Sequence, residues 1–152
     1  MSSTDHHGGR ELVAFRISDQ DFCVDIGVVR EIRGWTAATP VPHSPDYMCG
    51  VINLRGLVLP IVDLGLRLGM PAAQPTPRHA IIVVAAGPRS VGLLVDGVSD
   101  ILTVQPQDIQ APPNIDGGQT ASALLGVFAQ DGRLVSLIAV DRLLPDVEAV
   151  AA

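Results

Sequence analysis

Few residues in this chain could do chemistry, and the most informative of them is Arg55. It lies beside Gly56 in the middle of residues 50–64, a run that is otherwise almost entirely aliphatic. Aliphatic residues of high β-propensity on both sides of a short Arg-Gly pair predict a β-hairpin with a polar tip. A cation at a turn contributes little to a core. Arg55 is therefore the first candidate for contact with something outside the chain.

The two strands of this predicted hairpin have an evident packing task. A two-residue turn at the tip would pair Leu54 with Leu57 and Ile52 with Leu59. Because side chains alternate along a strand, these four residues would share one face of the hairpin. The opposite face would carry Val51, Asn53, Val58 and Pro60.

Motifs that mark enzymes and metal sites are missing from the sequence. It has no G-x-x-x-x-G-K-[ST], no H-E-x-x-H, no G-x-G-x-x-G and no G-x-S-x-G. Cys49 and His43 could form a nucleophile–base pair, but nothing supplies a third group to orient the histidine. Asp96 and Asp100 lack the other oxygen ligands of a calcium loop, and Asp96-Gly97 is a turn signal. We therefore expect a binding protein, with no catalytic residue, cofactor or metal.

Charge balance and the length of the apolar runs argue against two kinds of partner. The formal net charge is −6 and the pI about 4.9, without a basic run, so we expect no nucleic-acid partner. The longest aliphatic runs, such as residues 57–62 and 80–86, are far shorter than the roughly 18 residues that span a bilayer. Residues 1–10 lack the apolar core of a signal peptide. Cys23 and Cys49 are too few for a disulfide framework and are expected to be buried thiols. These features predict a cytoplasmic protein that does not insert into the membrane.

Short runs of β-prone residues separated by turn residues recur along the chain. Asp25 is placed to cap a short helix over residues 26–32, which would carry Glu31 and end at Gly34. Asp63 is placed to cap a second short helical segment. The other predicted elements are strands at 12–17, 22–24, 80–85, 90–95, 101–104, 124–129 and 134–140, a turn at 96–100, and a final helix at 142–144 capped by Asp141.

This pattern predicts an all-β fold with a few short helices, in which several hairpins in each half form two small barrels. Hydrophobic residues make up 47% of the chain and aromatic residues only 3%, so the core must consist of Val, Leu, Ile and Ala. We expect a disordered tail over residues 1–10, one domain over 11–145 and a frayed tail over 146–152. The expected boundary between the two barrel subdomains lies near 65–78, where prolines cluster.

Three motifs follow one another along the chain. Val-Asp-Ile at 24–26 leads to Val-Arg-Glu-Ile-Arg-Gly at 29–34. Gly-Val-Ile-Asn-Leu-Arg-Gly-Leu-Val-Leu-Pro-Ile-Val-Asp-Leu occupies 50–64, and Val-Gly-Leu-Leu-Val-Asp-Gly-Val-Ser-Asp occupies 91–100. In this order and at this spacing they resemble the CheW-like coupling proteins of bacterial chemotaxis, over roughly residues 11–145.

The sequence departs from the family pattern at a few positions. These are Cys23, Trp35 and Cys49, and residues 105–123 match only weakly. The resemblance implies two five-stranded, SH3-like β-barrel subdomains packed around a shared apolar core, and a scaffold without catalysis. Such proteins connect the cytoplasmic tip of methyl-accepting chemotaxis receptors to the regulatory domain of the histidine kinase CheA. The chain would then be recruited to a membrane-associated receptor array, in which coupler and kinase domains alternate in rings.

The resemblance carries six contact positions over to this sequence, two charged and four apolar. On sequence grounds alone, Val29 and Val98 are more often core residues than interface residues. A glutamate on a short helix, such as Glu31, is usually a solvated charge. The hypothesis is that the charged pair sets the register of a partner on an apolar strip. The six positions are Arg55, Glu31, Val29, Val98, Ile81 and Ile101.

Two other functions stay open on the sequence. The same kind of adaptor could serve a non-flagellar pathway, such as one that controls pili or development. A protein of another class, a small-molecule sensor or an enzyme subunit, could use the cleft between the barrels. Binding to kinase and receptor fragments would separate the adaptor from this second class.

Overall fold

The computed structural model describes residues 9–111 and 123–143, and these form ten strands with short helical segments between them. The two α-helices of one turn are α1 (Leu64–Arg67) and α2 (Val140–Leu143), and 3-10 turns cover Ile26–Val28 and Pro106–Asp108. The strands are β1 (Arg10–Ile17), β2 (Gln20–Asp25), β3 (Val29–Gly34), β4 (Met48–Leu54), β5 (Leu57–Asp63), β6 (Ala80–Ala86), β7 (Arg89–Val95), β8 (Gly97–Val104), β9 (Leu124–Gln130) and β10 (Arg133–Ile138).

These strands form two five-stranded sheets. The first sheet has the order β8-β1-β2-β10-β9, and the second sheet has the order β3-β6-β7-β5-β4. The predicted all-β class with two five-stranded units is confirmed, while closure of each sheet into a barrel stays a prediction. The chain changes sheet between Val28 and Val29 and again at Asp96, so the strands on either side of residues 65–78 lie in the same sheet.

The two sheets share one strand pattern, which is circularly permuted along the chain. In each sheet the third and fourth strands of the order are parallel and the other neighbours are antiparallel. The register irregularities coincide as well. In the edge strand β3, the residue between Val29 and Glu31 is left out of the pairing with β6. In β8, the residue between Val98 and Asp100 is likewise left out of the pairing with β1. Strands β3 to β7 therefore correspond in order to β8, β9, β10, β1 and β2.

The same correspondence appears where each sheet is crossed by the segment that follows its edge strand. Thr39 forms an isolated bridge with β4, and Gln110 forms one with β9. Each crossing passes over a glycine, Gly50 in β4 and Gly126 in β9. A Cβ atom at either glycine would collide with the backbone of the crossing residue. Glycine is therefore required at both positions for the close approach of the two backbones.

The main apolar core joins the two sheets. Fully buried side chains of the first sheet, including Phe15 and Val24, belong to the same cluster as Val62, Ile82 and Leu93 of the second sheet. A smaller apolar cluster lies within each sheet. Removal of this aliphatic surface from water is the main favourable term in folding, so the shared core fixes the two sheets against each other. The predicted shared core is confirmed.

The predicted helix over residues 26–32 is largely wrong. Asp25 does cap a helical turn by accepting from the Gly27 N–H at 2.8 Å, but the turn ends at Val28. Strand β3 follows at once and pairs with β6. The three-residue spacing of apolar residues fits a helix, yet the β-branched residues of this stretch also fit a strand, and pairing with β6 decides the outcome. Glu31 therefore lies on a strand.

Two other local predictions need correction, and one is confirmed. Strand β8 begins at Gly97, inside the predicted turn at 96–100, because it pairs with β1 from its first residue. Asp141 lies inside α2 and does not cap it, and the predicted helix end at residue 144 lies outside the described residues. Asp63 caps α1 as expected, since its carboxylate accepts from the Leu66 N–H at 3.2 Å.

Candidate functional site

Arg55 and Glu31 meet at the surface of the second sheet. The Arg55 Nη2 donates to Glu31 Oε1 at 2.6 Å, and the Arg33 Nη1 donates to Glu31 Oε2 at 3.1 Å. Each oxygen of the carboxylate therefore has its own arginine. The Arg55 side chain is still 69% exposed, whereas that of Glu31 is 29% exposed. The pair thus presents a guanidinium to solvent while it holds the carboxylate beneath it.

The two arginines keep Glu31 ionised. The hydrogen bond from Arg55 is the largest cause that holds the pKa of Glu31 below its ordinary value, and the hydrogen bond from Arg33 adds to it. Both contacts favour the charged form of the carboxyl group. At neutral pH the site is therefore a fixed arrangement of two cations and one anion.

The backbone at the hairpin tip is unusual for an arginine. Arg55 has φ 53° and Gly56 has φ 86°, and the Gly56 N–H donates to Asn53 Oδ1 at 2.9 Å. Two-residue hairpins with positive φ at both positions favour Asn-Gly or Asp-Gly. The corresponding tip of the first sheet uses that pair, Asp131-Gly132, with φ 52° and 78°. Arg55 is not the residue that the turn itself would select.

Two apolar side chains next to the tip are exposed. Leu57 is 72% exposed and Val58 is 68% exposed, although Leu54 opposite Leu57 is only 9% exposed. The reason is the length of the neighbouring ladder, because β5 pairs with β7 only from Ile61 onward. The hairpin tip projects beyond that ladder. The packing role expected for Leu57 is therefore wrong, although its pairing with Leu54 is confirmed.

An open groove of about 550 Å³ lies against this tip. Its apolar wall combines the exposed Leu57 and Val58 with the buried Leu59 and Val83. We call it the tip groove. Its lining residues are Arg30, Glu31, Leu54, Arg55, Leu57, Val58, Leu59, Pro60, Val83, Pro88, Arg89 and Ser90.

The structure brings three of the six predicted contact residues into one region of the second sheet. Arg55 and Glu31 are in contact, and Val29 is two residues from Glu31 on the same strand. Val29 is half-buried and packs against the main core. The charged pair is thus exposed at the groove, while Val29 has part of its side chain committed to the core.

The other three predicted residues are elsewhere. Val98 and Ile101 lie on β8 of the first sheet, 36% and 54% exposed. Val98 corresponds to Val29 in the permuted repeat. Ile81 is 0% exposed and pairs with Arg33 and Leu94 in the second sheet. It has no surface to offer a partner and is a core residue in this structure.

Sequence reasoning missed several members of the site. Arg33 completes the coordination of Glu31, and Arg30 and Arg89 line the groove. Exposure of Leu57 and Val58 was also missed. Arg30 and Arg33 flank Glu31 in the sequence, so a cluster of charges was visible, but the assignment of a helix placed these side chains wrongly.

The two cysteines give no reactive centre. Burial raises the pKa of the Cys23 thiol to about 12 and that of Cys49 to about 11, so both are protonated near neutral pH. Cys23 is fully buried, as predicted, while Cys49 is half-buried. In residues 9–111 and 123–143, no group of three or more His, Cys, Asp or Glu side chains could hold a metal ion. None of the helices in these two ranges has the length and the apolar composition of a membrane span.

Comparison with known proteins places this architecture in a family. The sequence-family model of the CheW-like domain matches residues 11–148 of this chain. The chemotaxis protein CheW of Rhizobium meliloti (strain 1021) is 59% identical over 146 residues, which cover 96% of this chain and 94% of the relative. The chemotaxis protein CheW of Klebsiella aerogenes is 33% identical over 140 residues, with 92% and 84% covered.

A solved structure agrees with these sequence matches. The scaffolding protein TtCheW from Thermoanaerobacter tengcongensis superposes with a TM-score of 0.82 at 26% identity. The match covers 91% of this chain and 90% of that one. On the sequence matches and on the fold, this chain belongs to the family of CheW-like domain proteins.

Proposed function

We propose that this protein is a non-catalytic scaffold of bacterial chemotaxis that couples chemoreceptors to the histidine kinase CheA. The observation that carries the proposal is the Arg55–Glu31 pair. A 69% exposed arginine stands at a turn position that favours other residues, and a carboxylate held by a second arginine fixes its orientation. Backbone strain of this kind is a reason to infer function at the residue that bears it.

The proposed partners are the regulatory domain of CheA and the cytoplasmic tip of methyl-accepting chemotaxis receptors. Membership in the CheW-like family supports both, as does the fact that the structural relative, TtCheW, is a scaffolding protein. We place the protein in the cytoplasm, recruited to the membrane-associated receptor array. No step in this role requires a bond to be made or broken by the chain.

The proposed contact set follows exposure. Arg55 and Glu31 form its charged part, and Val29, Val98 and Ile101 form an apolar part that is divided between the two sheets. We leave Ile81 out because it is fully buried. Residues 11–145 act as one domain in this proposal, with each sheet as one barrel subdomain.

Preorganisation is the physical contribution of Glu31. A free arginine side chain would lose rotamer freedom when a partner binds, and a side chain already held in place loses less. The Glu31 carboxylate holds Arg55 in one orientation at 2.6 Å before any partner arrives. A signal would then pass as a small shift in packing between the barrel and the receptor helix bundle.

Reconstitution of receptor fragments, CheA and this chain tests the proposal. Kinase activity should depend on the chain, and the chain should co-sediment with the receptor assembly and bind CheA. Failure to bind either partner, together with tight binding of a metabolite, would favour the small-molecule sensor instead.

A further inference from the structure

The tip groove has a charge opposite to that of the whole protein. Three arginines and one glutamate line it, Arg30, Arg55, Arg89 and Glu31, so its charged lining has a net charge of +2. The chain as a whole has a formal net charge of −6. Glu31 is already bound to Arg55 and Arg33. The composition of the whole chain therefore does not explain the positive charge of the groove lining.

Two of these arginines lie on β3 and β7, the two strands that flank β6, at the same end of the second sheet. Arg30 is the bulged residue of β3: its neighbours Val29 and Glu31 pair with the consecutive residues Val84 and Val83 of β6, and Arg30 itself has no partner in the register. Arg89 opens β7 opposite Ala86 of β6, two residues further along. A bulge of this kind redirects a side chain away from the regular ladder. The bulge and the hairpin together thus bring Arg30 and Arg89 to the lining of the groove, where the Arg30 Nη1 also donates to the Gly27 carbonyl oxygen at 3.4 Å.

The permuted repeat shows that this charge is not a consequence of the fold. In the first sheet the same four positions are filled by Ser99, Asp100, Asp131 and Gln20 in place of Arg30, Glu31, Arg55 and Arg89. Their net charge is −2. The same four positions therefore carry a net positive charge on one sheet and a net negative charge on the other. The arginines serve the groove and not the strand pairing.

We infer that the tip groove binds an amphipathic segment of a partner protein that carries carboxylates beside aliphatic side chains. Arg30 and Arg89 are the residues that select its charge. The exposed Leu57 and Val58 receive the aliphatic side chains, and Arg55 fixes the register. This inference rests on the proposed function, since it names the chemistry of the partner that a scaffold site of this kind would recognise. Charge complementarity of this type governs specificity and association rate more than raw affinity.

Two synthetic amphipathic peptides test the inference on the full chain. They share their aliphatic positions and carry either glutamate or lysine at the polar positions. We expect the glutamate peptide to bind, with an affinity that falls as salt is raised, and the lysine peptide not to bind. The double variant Arg30→Glu/Arg89→Glu should weaken binding of the glutamate peptide by about tenfold or more. Arg78→Glu, an exposed arginine outside the groove, should leave binding unchanged.

Several outcomes would overturn the inference. Binding of both peptides, binding of neither, or an equal effect of Arg78→Glu would each do so. So would loss of self-association in the double variant, measured by sedimentation, because the occupant would then be a second copy of this chain. Circular dichroism and the milder Arg30→Gln/Arg89→Gln pair exclude a folding defect.

The outcome is separable from that of the proposed function. If the wild-type chain activates CheA in a receptor assembly but the peptides do not discriminate, the scaffold role stands and the charge assignment fails. If the peptides discriminate but the chain couples nothing, the reverse holds.

Discussion

Glu31 and Asp100 occupy the same position of the permuted repeat, one on each sheet. Glu31 lies opposite Val83 and Asp100 lies opposite Ala14. Each directly follows the bulged residue of its edge strand. Glu31 accepts from two arginines, whereas Asp100 accepts from the backbone N–H of Ile101 at 2.7 Å. The fold fixes where the carboxylate lies, and the neighbouring hairpin tip decides what it binds.

Removal of the Arg55 side chain should impair coupling and leave the fold intact. Truncation of an interface arginine typically costs about 2 kcal/mol or more in binding, which corresponds to roughly thirtyfold. The ion pair is exposed and screened by solvent, so it contributes little to folding. We therefore expect Arg55→Ala to lower kinase activation in a reconstituted receptor array, with a normal circular dichroism spectrum. Arg78→Ala is the control. Full activation by a folded Arg55→Ala variant would remove Arg55 from the site.

Arg55→Asn separates the charge from the turn. Arginine at this position has φ 53°, a left-handed conformation that asparagine adopts at lower cost. The substitution should therefore remove about 1 kcal/mol of backbone strain while the turn is kept. Arg55→Asn should therefore be at least as stable as the wild type in urea unfolding, yet couple as poorly as Arg55→Ala. A variant that keeps its coupling would show that the turn shape, and not the guanidinium, is what the partner recognises.

The ionisation of Glu31 should depend on Arg55. Because the pKa of Glu31 is lowered in the folded chain, the ion pair stabilises the fold above the ordinary pKa of 4.5 and loses that effect as the pH falls through the folded value. Arg55→Ala should raise the pKa of Glu31 toward 4.5, with Arg33 retaining part of the effect. Carboxyl ¹³C NMR titration measures the change. An unaltered pKa in Arg55→Ala would mean that the pair does not form in solution.

The sequence predicts the hairpins well because their signals are local. Alternating aliphatic residues and a glycine at the second turn position are enough to place the tip at Arg55 and the pairing of Leu54 with Leu57. Exposure of Leu57 depends on where β7 stops pairing with β5, which no local pattern contains. The contact of Arg55 with Glu31 spans 24 positions, and it requires β3 to be a strand. The error in the local assignment of β3 thus hid the geometry of the site.

Gly126 should be intolerant of even the smallest side chain. A Cβ atom there would lie 2.5 Å from the Ile109 side chain and 2.8 Å from the carbonyl oxygen of Gln110, the residue that crosses β9. Both distances are too short for a real Cβ contact. We expect Gly126→Ala to lower the free energy of unfolding by about 1–3 kcal/mol, the usual cost of overpacking. Gly97→Ala is a matched control, because nothing lies within 4 Å of the corresponding Cβ. Equal melting temperatures for the two variants would contradict the close crossing.

Ile81 and Ile101 allow one substitution to test two roles. Both are isoleucines on strands, but Ile81 is 0% exposed and Ile101 is 54% exposed. Ile81→Ala should cost about 2–5 kcal/mol of stability through the cavity that it leaves, and impair coupling only as far as it unfolds the chain. Ile101→Ala should change stability by about 0.5 kcal/mol or less. If Ile101 is a contact residue, its variant should nevertheless co-sediment less with receptor and kinase. Thermal unfolding and co-sedimentation of both variants distinguish the roles, and normal binding by Ile101→Ala would leave the first sheet without a demonstrated contact.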